Sequence, residues 1–132
     1  MLFMLDRVSV LVVEDDKLNQ KIMSFMLRKN GADIKMALNG NEAIKLLSAD
    51  KFDVILMDLQ MPFMDGFTTA HHIRKNMHID IPIIALTADS FANQTNEYIE
   101  AGMNACVCKP VESAILCKLI LSLINKVEIN NN

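Results

Sequence analysis

Five short apolar runs alternate with five segments of helical periodicity along this chain. Apolar runs of this length, bounded by turn residues, are typical of strands buried on both faces of a sheet. Strict alternation with short connections predicts an α/β fold, in which a five-stranded parallel sheet is doubly wound by five helices. The predicted strands lie at residues 8–13, 32–37, 54–58, 82–86 and 105–108.

The segments between these runs carry helix signals of their own. The first predicted helix covers 17–30, with Gly31 as its C′ residue and Asp16 as a possible cap. Asn39 to Glu42 resembles a capping box that opens the second helix. The remaining helices are expected at about 67–76, 93–101 and 112–124. The inward stripes are predicted to be Leu18, Ile22, Phe25 and Met26 in the first helix, and Leu116, Leu119, Ile120, Leu123 and Ile124 in the last.

Length and charge limit what the chain can be. With 132 residues, 52% hydrophobic and 22% charged, it is expected to form one globular domain at 8–126, after a lead-in at 1–7 and before a disordered tail at 127–132. A net charge of −3 offers no basic surface for nucleic acid or an anionic membrane. No apolar run approaches the roughly 20 residues of a membrane span, and no basic segment precedes the apolar start, so no signal peptide is expected.

Three cysteines, at 106, 108 and 117, form no disulfide framework. An odd number without such spacing predicts free thiols and a reducing, cytoplasmic location.

Polar residues follow four of the five predicted strands. Glu14 and Asp15 follow the first, Asp58 ends the third, Thr87 the fourth, and Lys109 follows the fifth. Each alone is an ordinary turn residue. In a parallel sheet all carboxyl ends share one edge, so these side chains converge if the strand order is 2-1-3-4-5. The sequence therefore predicts a ligand-binding edge built around Asp58.

The same residues resemble receiver domains of two-component response regulators over about residues 8–126. That resemblance implies a flavodoxin-like fold. The residue pattern around Asn19-Gln20 and at 101–104 resembles that of receiver domains attached to hybrid sensor histidine kinases. The matching motifs, in family order, are Val12-Val13-Glu14-Asp15, Met57-Asp58-Leu59-Gln60-Met61-Pro62 with Met64-Asp65-Gly66, Leu86-Thr87-Ala88, and Gly102 with Cys108-Lys109-Pro110.

A carboxylate is a competent nucleophile for phosphoryl transfer, and the resemblance implies Asp58 as acceptor from a phosphohistidine. Mg²⁺ prefers oxygen ligands and offsets the grouped negative charge. We expect Asp15 and Asp58 as direct ligands and Glu14 through water. The resemblance adds the Gln60 backbone carbonyl as a ligand.

Lys109 and Thr87 are expected to contact phosphoryl oxygens. The resemblance also implies a cis Lys109–Pro110 bond. Gln60 and Asp89 are expected to border the phosphoryl group and tune its lifetime.

The conformational change on phosphorylation is expected to pass from Asp58 through Thr87 to the fifth strand. In the family, an aromatic residue on that strand turns inward when the threonine moves, whereas this chain has Cys106 at the position. The surface of the fourth helix, fifth strand and fifth helix is the expected partner face, with a possible homodimer. Ile115 and Leu121 belong either to a wide core stripe or to that surface. His71, His72 and His78 are predicted to be surface or helix-end residues.

Three other functions compete with that of a phosphoacceptor. A hydrolase of the aspartyl-phosphate type needs Asp-x-Asp, whereas the chain has Asp58-Leu59-Gln60. A flavodoxin-like cofactor binder needs a phosphate-cradling loop after Val13, which is missing. A degenerate interaction module would not retain every site position. The expected partners are a histidine kinase or a histidine phosphotransfer protein, with no nucleic acid and no membrane.

Overall fold

A computed structural model describes residues 3–59, 61, 65–88 and 95–130. Its sheet has five parallel strands in the order β2-β1-β3-β4-β5, which confirms the predicted topology. The strands are β1 (Ser9–Val13), β2 (Asp33–Ala37), β3 (Val54–Asp58), β4 (Ile83–Thr87) and β5 (Ala105–Cys108). The helices are α1 (Lys17–Lys29), α2 (Gly40–Ala49), α3 (Gly66–Lys75), α4 (Thr95–Glu100) and α5 (Ser113–Asn130).

Strand composition follows position in the sheet. Every residue of β3 and β4 is buried, because helices cover both faces of these inner strands. Strand β2 lies at the edge, and its exposed Asp33 and Lys35 alternate with half-buried Ile34 and Met36. The alternation of polar and apolar residues in β2 therefore matches its position at the edge of the sheet.

Two apolar layers sandwich the sheet. One combines the inner residues of α2 and α3, such as Leu47 and Ile73, with Ala101 and Met103 after α4. The other packs α1 and α5 against the opposite face and includes Leu27, Leu116 and Ile120. The site edge is thus held between helices anchored on both faces.

Asp and Asn side chains fix the first turns of three helices. Asp16, Asn39 and Asp65 each accept a hydrogen bond from the backbone N–H three residues ahead, at 2.7–3.0 Å. In α2, Glu42 reaches back to the Leu38 N–H at 3.0 Å, one residue before the position of an ideal capping box. These caps fix where α1 and α3 begin, close to the carboxyl ends of β1 and β3.

The predicted core stripe of α1 is largely wrong. Leu18, Ile22 and Phe25 are 66%, 49% and 71% exposed, and the buried residues are Met23 and Leu27. Met26, the fourth predicted member, is partly buried against the apolar layer that contains Leu27. Two neighbouring faces of this helix carry apolar residues at helical spacing, so periodicity alone did not decide which one faces the sheet.

Both chain ends extend the domain further than expected. Leu5, in the predicted lead-in, is fully buried and its N–H donates to the Asn30 carbonyl at 2.8 Å. Helix α5 continues to Asn130, although residues 127–130 were expected to be a disordered tail. No Gly or Pro interrupts that segment, so the helix has no local reason to stop at residue 124. The start of the fourth helix, expected at residue 93, lies outside the described residues.

Candidate functional site

The strand order brings the predicted polar residues to one edge. Asp58 ends β3 and Thr87 ends the neighbouring β4, while Glu14 directly follows β1 and Lys109 directly follows β5. The Glu14 N–H donates to the Ala37 carbonyl and the Lys109 N–H donates to the Thr87 carbonyl, so sheet-like bonding continues one residue past each strand. The backbone therefore fixes where these side chains begin.

One ammonium bridges two buried carboxylates. Lys109 Nζ lies 3.1 Å from Glu14 Oε1 and 3.2 Å from Asp58 Oδ2. Glu14 and Asp58 are only 1% and 4% exposed, so their negative charges have lost most of their hydration. Charge-assisted hydrogen bonds to Lys109 offset part of that cost.

Burial changes the protonation of this cluster. Loss of hydration raises the pKa of Glu14 to about 7, and a hydrogen bond and charge repulsion from Asp58 add to the rise. Burial alone would lower the pKa of Lys109, but the charges of Asp58 and Glu14 outweigh it and the pKa is raised. The lysine therefore stays cationic between the two acids.

Asp15 completes an acidic trio. One oxygen atom from each of Glu14, Asp15 and Asp58 lies within 4.8 Å of the other two, and Asp15 is exposed while its partners are buried. Oxygen donors grouped around a partly open position suit a hard divalent cation such as Mg²⁺, which keeps several waters. Gln60 and Asp89, also predicted at this site, lie outside the described residues.

Gln20 is a site residue that the sequence reasoning missed. Its side-chain amide donates to the Glu14 carbonyl at 2.6 Å, and the Asp16 N–H donates to Glu14 Oε2 at 3.2 Å. Both contacts come from the start of α1 and orient Glu14 at the end of β1. The sequence feature that could have revealed it is a side-chain amide in the first turn of α1, the capped helix that follows Glu14 at the end of β1.

Thr87 ends β4, the strand that pairs with β3. Thr87 is fully buried, and the Leu59 N–H donates to the Leu86 carbonyl at 3.0 Å. Gly66 opens α3 directly against this strand end, because a Cβ there would lie 2.6 Å from the Asp58 carbonyl oxygen. The Lys109–Pro110 bond is cis, as predicted.

Cys106 lies apart from the acidic cluster. It is half-buried on β5, opposite Ala85, and packs against the apolar layer that holds α3 and the end of α4. Burial raises the pKa of its thiol, and the neighbouring Cys108 adds to the rise. All three cysteines are free thiols, as predicted.

The remaining candidate residues lie away from the site edge. His71 is exposed on α3, His72 lies in the last turn of that helix, and exposed His78 follows it, so all three are surface or helix-end residues as predicted. Ile115 on α5 is 55% exposed, whereas Leu121 is partly buried against the core. Leu121 therefore belongs to the core stripe of α5, whereas Ile115 belongs to its exposed surface.

Comparison with known proteins identifies the fold and its family. The family model of the response regulator receiver domain matches residues 10–121. The chain belongs to this family. Its curated relatives include the hybrid signal transduction histidine kinase M of Dictyostelium discoideum, 40% identical over 121 residues, and the sensor histidine kinase RcsC of Salmonella typhimurium, 32% identical over 111. The aligned parts cover 87% and 84% of the receiver chain but only 5% and 12% of these two relatives.

Solved receiver domains match the chain over most of their own length. The receiver domain of sensor histidine kinase PA1611 from Pseudomonas aeruginosa, with a magnesium ion coordinated in its active-site cleft, is 32% identical with a TM-score of 0.81. The match covers 90% of this chain and 98% of that one. The receiver domain of Ssk1 from Saccharomyces cerevisiae, crystallised with the histidine phosphotransfer protein Ypd1, has 30% identity, a TM-score of 0.84 and coverages of 93% and 91%.

The protein is therefore a receiver domain of two-component systems, related to the receiver domains of hybrid kinases. It is a signalling domain, and its acidic cluster groups oxygen ligands that could hold a metal ion. Among the described residues, no helix is long and apolar enough to cross a membrane.

Proposed function

We propose that Asp58 accepts a phosphoryl group from a phosphohistidine and that Thr87 and Lys109 assist. The observation that carries this assignment is a buried carboxylate bridged by a lysine and grouped with two further acids. Nothing else among the described residues combines a buried nucleophile, a cation and a candidate metal cluster. The acceptor role follows from this chemistry together with membership of the family.

The transfer requires little beyond positioning and charge compensation. An oxygen of Asp58 attacks phosphorus, the P–N bond to the donor imidazole breaks, and the freed nitrogen takes up a proton. The product is an acyl phosphate on Asp58. The Lys109 ammonium already contacts this carboxylate and pairs with charge on the phosphoryl oxygens, while the Thr87 hydroxyl donates to another oxygen.

Glu14, Asp15 and Asp58 fit a magnesium ion, with the Gln60 carbonyl as the further ligand that we propose. When bound, the cation neutralises phosphoryl charge beside the carboxylates. In the same proposal, Asp15 and Asp58 bind the magnesium ion directly, and Glu14 binds it through a water molecule. The acyl phosphate also hydrolyses in this site, which lets the domain reset itself.

The partner that we propose is a histidine phosphotransfer protein or histidine kinase, docked on α1. Leu18, Ile22 and Phe25 form an exposed apolar patch on the helix that begins at the site edge. Patches of this kind mark interaction surfaces. Lys21 and Lys29 flank it, which favours a partner with an acidic rim. The complex of Ypd1 with the Ssk1 receiver domain supports this class of partner.

The output face that we propose combines α4, β5 and α5, including a possible homodimer. Exposed Ile115 and half-buried Cys106 line a shallow groove there. A thiol is smaller than the family's aromatic side chain, so either backbone and helix movement alone carries the change from Thr87 or the coupling is weak. The test compares partner binding of Cys106→Tyr with the unchanged chain, with and without phosphorylation. A stronger dependence on phosphorylation in the variant indicates that coupling through Cys106 is weak, and an equal dependence supports transmission by backbone and helix movement.

Intact mass spectrometry tests the acceptor directly. The protein is incubated with Mg²⁺ and acetyl phosphate, and one phosphoryl addition is expected that Asp58→Asn abolishes. Asp33→Asn is the matched control, because Asp33 is an exposed aspartate on β2. An unphosphorylated wild-type chain, an addition retained in Asp58→Asn, or turnover of unrelated phosphomonoesters would contradict the proposal, and the last result would favour a hydrolase.

A further inference from the structure

Strand β5 carries two thiols on one face. Side chains two positions apart in a strand point to the same side of the sheet, so Cys106 and Cys108 project together. Both residues are half-buried, and both line the shallow groove that β5 forms with α5. The pair is therefore accessible from a surface groove rather than enclosed in the core.

The two thiols are close enough to influence each other. The charge on Cys108 adds to the rise in the pKa of Cys106 that burial causes, so the two sulfur atoms lie near each other. The third thiol does not join them. Cys117 is fully buried on α5, in the apolar layer on the opposite face of the sheet from the layer that Cys106 contacts. The three cysteines therefore provide one pair.

The spacing along β5 does not suit a disulfide between Cys106 and Cys108. Equivalent atoms of residues two positions apart in a parallel strand are separated by about 6.6 Å. A disulfide needs Cβ atoms about 3.5–4.5 Å apart, so its formation would require the strand to buckle. Parallel pairing with β4 along the whole of β5 opposes that distortion. The folded strand therefore keeps the two sulfur atoms apart.

A metal ion spans the same gap without a change in the backbone. Two metal–sulfur bonds of about 2.3 Å hold the sulfur atoms up to about 4.6 Å apart. The remaining difference from the strand spacing, about 1 Å at each side chain, lies within the reach of rotation about χ1. The geometry of the pair therefore favours a bridging ion over a covalent S–S bond.

The number of ligands selects the kind of ion. Zn²⁺ sites typically take three or four protein ligands. Glu112 also lines the groove, but the acidic trio at the strand ends is the only group of three possible ligands within 4.8 Å of one another in the described part of the chain. The groove thus offers two thiolates and no third close ligand among those residues. Soft thiolate ligands favour Cu(I), which forms stable complexes with two of them.

We propose that Cys106 and Cys108 bind one Cu(I) ion in this groove, at a site separate from the acidic cluster. Two Cu–S bonds form, the two S–H bonds break, and both protons pass to solvent. Copper stays in the +1 state, so the step needs no oxidant or reductant. The positive charge of the ion compensates the thiolates, whose charge burial alone disfavours.

Anaerobic competition with the chromophoric chelator bicinchoninate tests the site, with Cu(I) alone as the probe. We expect the reduced chain to bind one copper ion, and Cys106→Ser and Cys108→Ser each to lower the affinity at least about tenfold. Cys117→Ala removes the thiol on the other face of the sheet and should stay within about twofold of the wild-type affinity. Equal affinities in all four chains overturn the proposal. Far-UV circular dichroism checks folding, and if one serine variant does not fold, the other decides the result.

X-ray absorption and sedimentation identify the ligands of the bound ion. We expect two sulfur neighbours around copper and a complex of one ion with one chain. Copper surrounded by nitrogen or oxygen, or held between two chains, overturns the proposal. Treatment of the folded, copper-free chain with hydrogen peroxide gives a further test by intact mass. A loss of two hydrogens that either serine variant prevents would show that β5 closes a disulfide, and would overturn the geometric argument for a bridging ion.

Discussion

At the scale of single residues, the grouping of the candidate site residues was predictable from the sequence and the contacts among them were not. Strand ends of a parallel sheet share an edge, so Asp58, Glu14 and Lys109 were expected together. The sequence assigned Lys109 to the phosphoryl group, whereas the described structure has it between Glu14 and Asp58. Side-chain direction depends on charges that only the folded chain brings together, so the sequence pattern does not contain it.

The raised pKa of Glu14 predicts a pH-dependent stability of the metal-free domain. The pKa rises from 4.5 to about 7 on folding, so the folded state holds a proton that the unfolded state releases between these values. The stabilising contribution is full below about pH 4.5 and is lost as pH rises through about 7. The free energy of unfolding, measured by urea titration in EDTA, should therefore fall over this interval.

Glu14→Gln is the matched control for that dependence. The amide keeps the shape of the side chain and removes its titration, so the decline between pH 4.5 and 7 should become shallower. An identical decline in the wild-type chain and the variant would assign the effect to other groups.

Gly66 predicts a steric link between α3 and the acceptor strand. In Gly66→Ala the new Cβ would meet the Asp58 carbonyl oxygen at 2.6 Å, so the strand end or the helix must shift. We expect a loss of about 1–3 kcal/mol in the free energy of unfolding and slower phosphorylation by acetyl phosphate. Thr68→Ala, at an exposed position on the same helix, should alter stability by less than about 0.5 kcal/mol. Equal effects of the two substitutions would rule out this contact as the cause.

At the scale of elements, α1 marks the limit of periodicity as evidence. Its existence, its Asp16 cap and its end before Gly31 were predicted correctly. The buried face was not, because an exposed apolar face lies beside the one formed by Met23 and Leu27. An interaction surface and a core stripe have the same spacing, and only packing against the sheet distinguishes them.

Stability measurements distinguish the two faces of α1. Leu27→Ala empties a fully buried position and should lower the free energy of unfolding by about 2–5 kcal/mol. Phe25→Ala removes a side chain that is 71% exposed and whose ring centroid lies 5.8 Å from Lys29 Nζ. The free energy of unfolding should therefore fall by less than about 1 kcal/mol. Urea denaturation gives both values. A large loss for Phe25→Ala would mean that the predicted core stripe was right.

At the scale of the whole molecule, topology followed from alternation and handedness, which leave few arrangements for five strands. The opposite edge of the sheet was not foreseen. There Arg74 donates to the carbonyls of Ile79 and Gly102 and to Asn104 Oδ1, at 2.7–2.9 Å. Asn104 Oδ1 in turn accepts from the Ile83 N–H. These acceptors are mostly backbone atoms, which every residue type provides, so no sequence motif signals them.

Arg74 thus joins the end of α3, the start of β4 and the segment before β5, at the edge away from Asp58. Arg74→Met keeps much of the apolar stem but removes all three hydrogen bonds, and should cost about 2–3 kcal/mol in the free energy of unfolding. Because the proposed acceptor Asp58 lies at the carboxyl edge, phosphorylation of the folded protein by acetyl phosphate should stay within about twofold of the wild-type rate. Asp58→Asn should do the reverse, abolishing phosphorylation without a comparable loss of stability. If Arg74→Met slowed phosphorylation as strongly as it destabilised the fold, the two edges of the sheet would be coupled, and stability and phosphoryl transfer would not be separable in this domain.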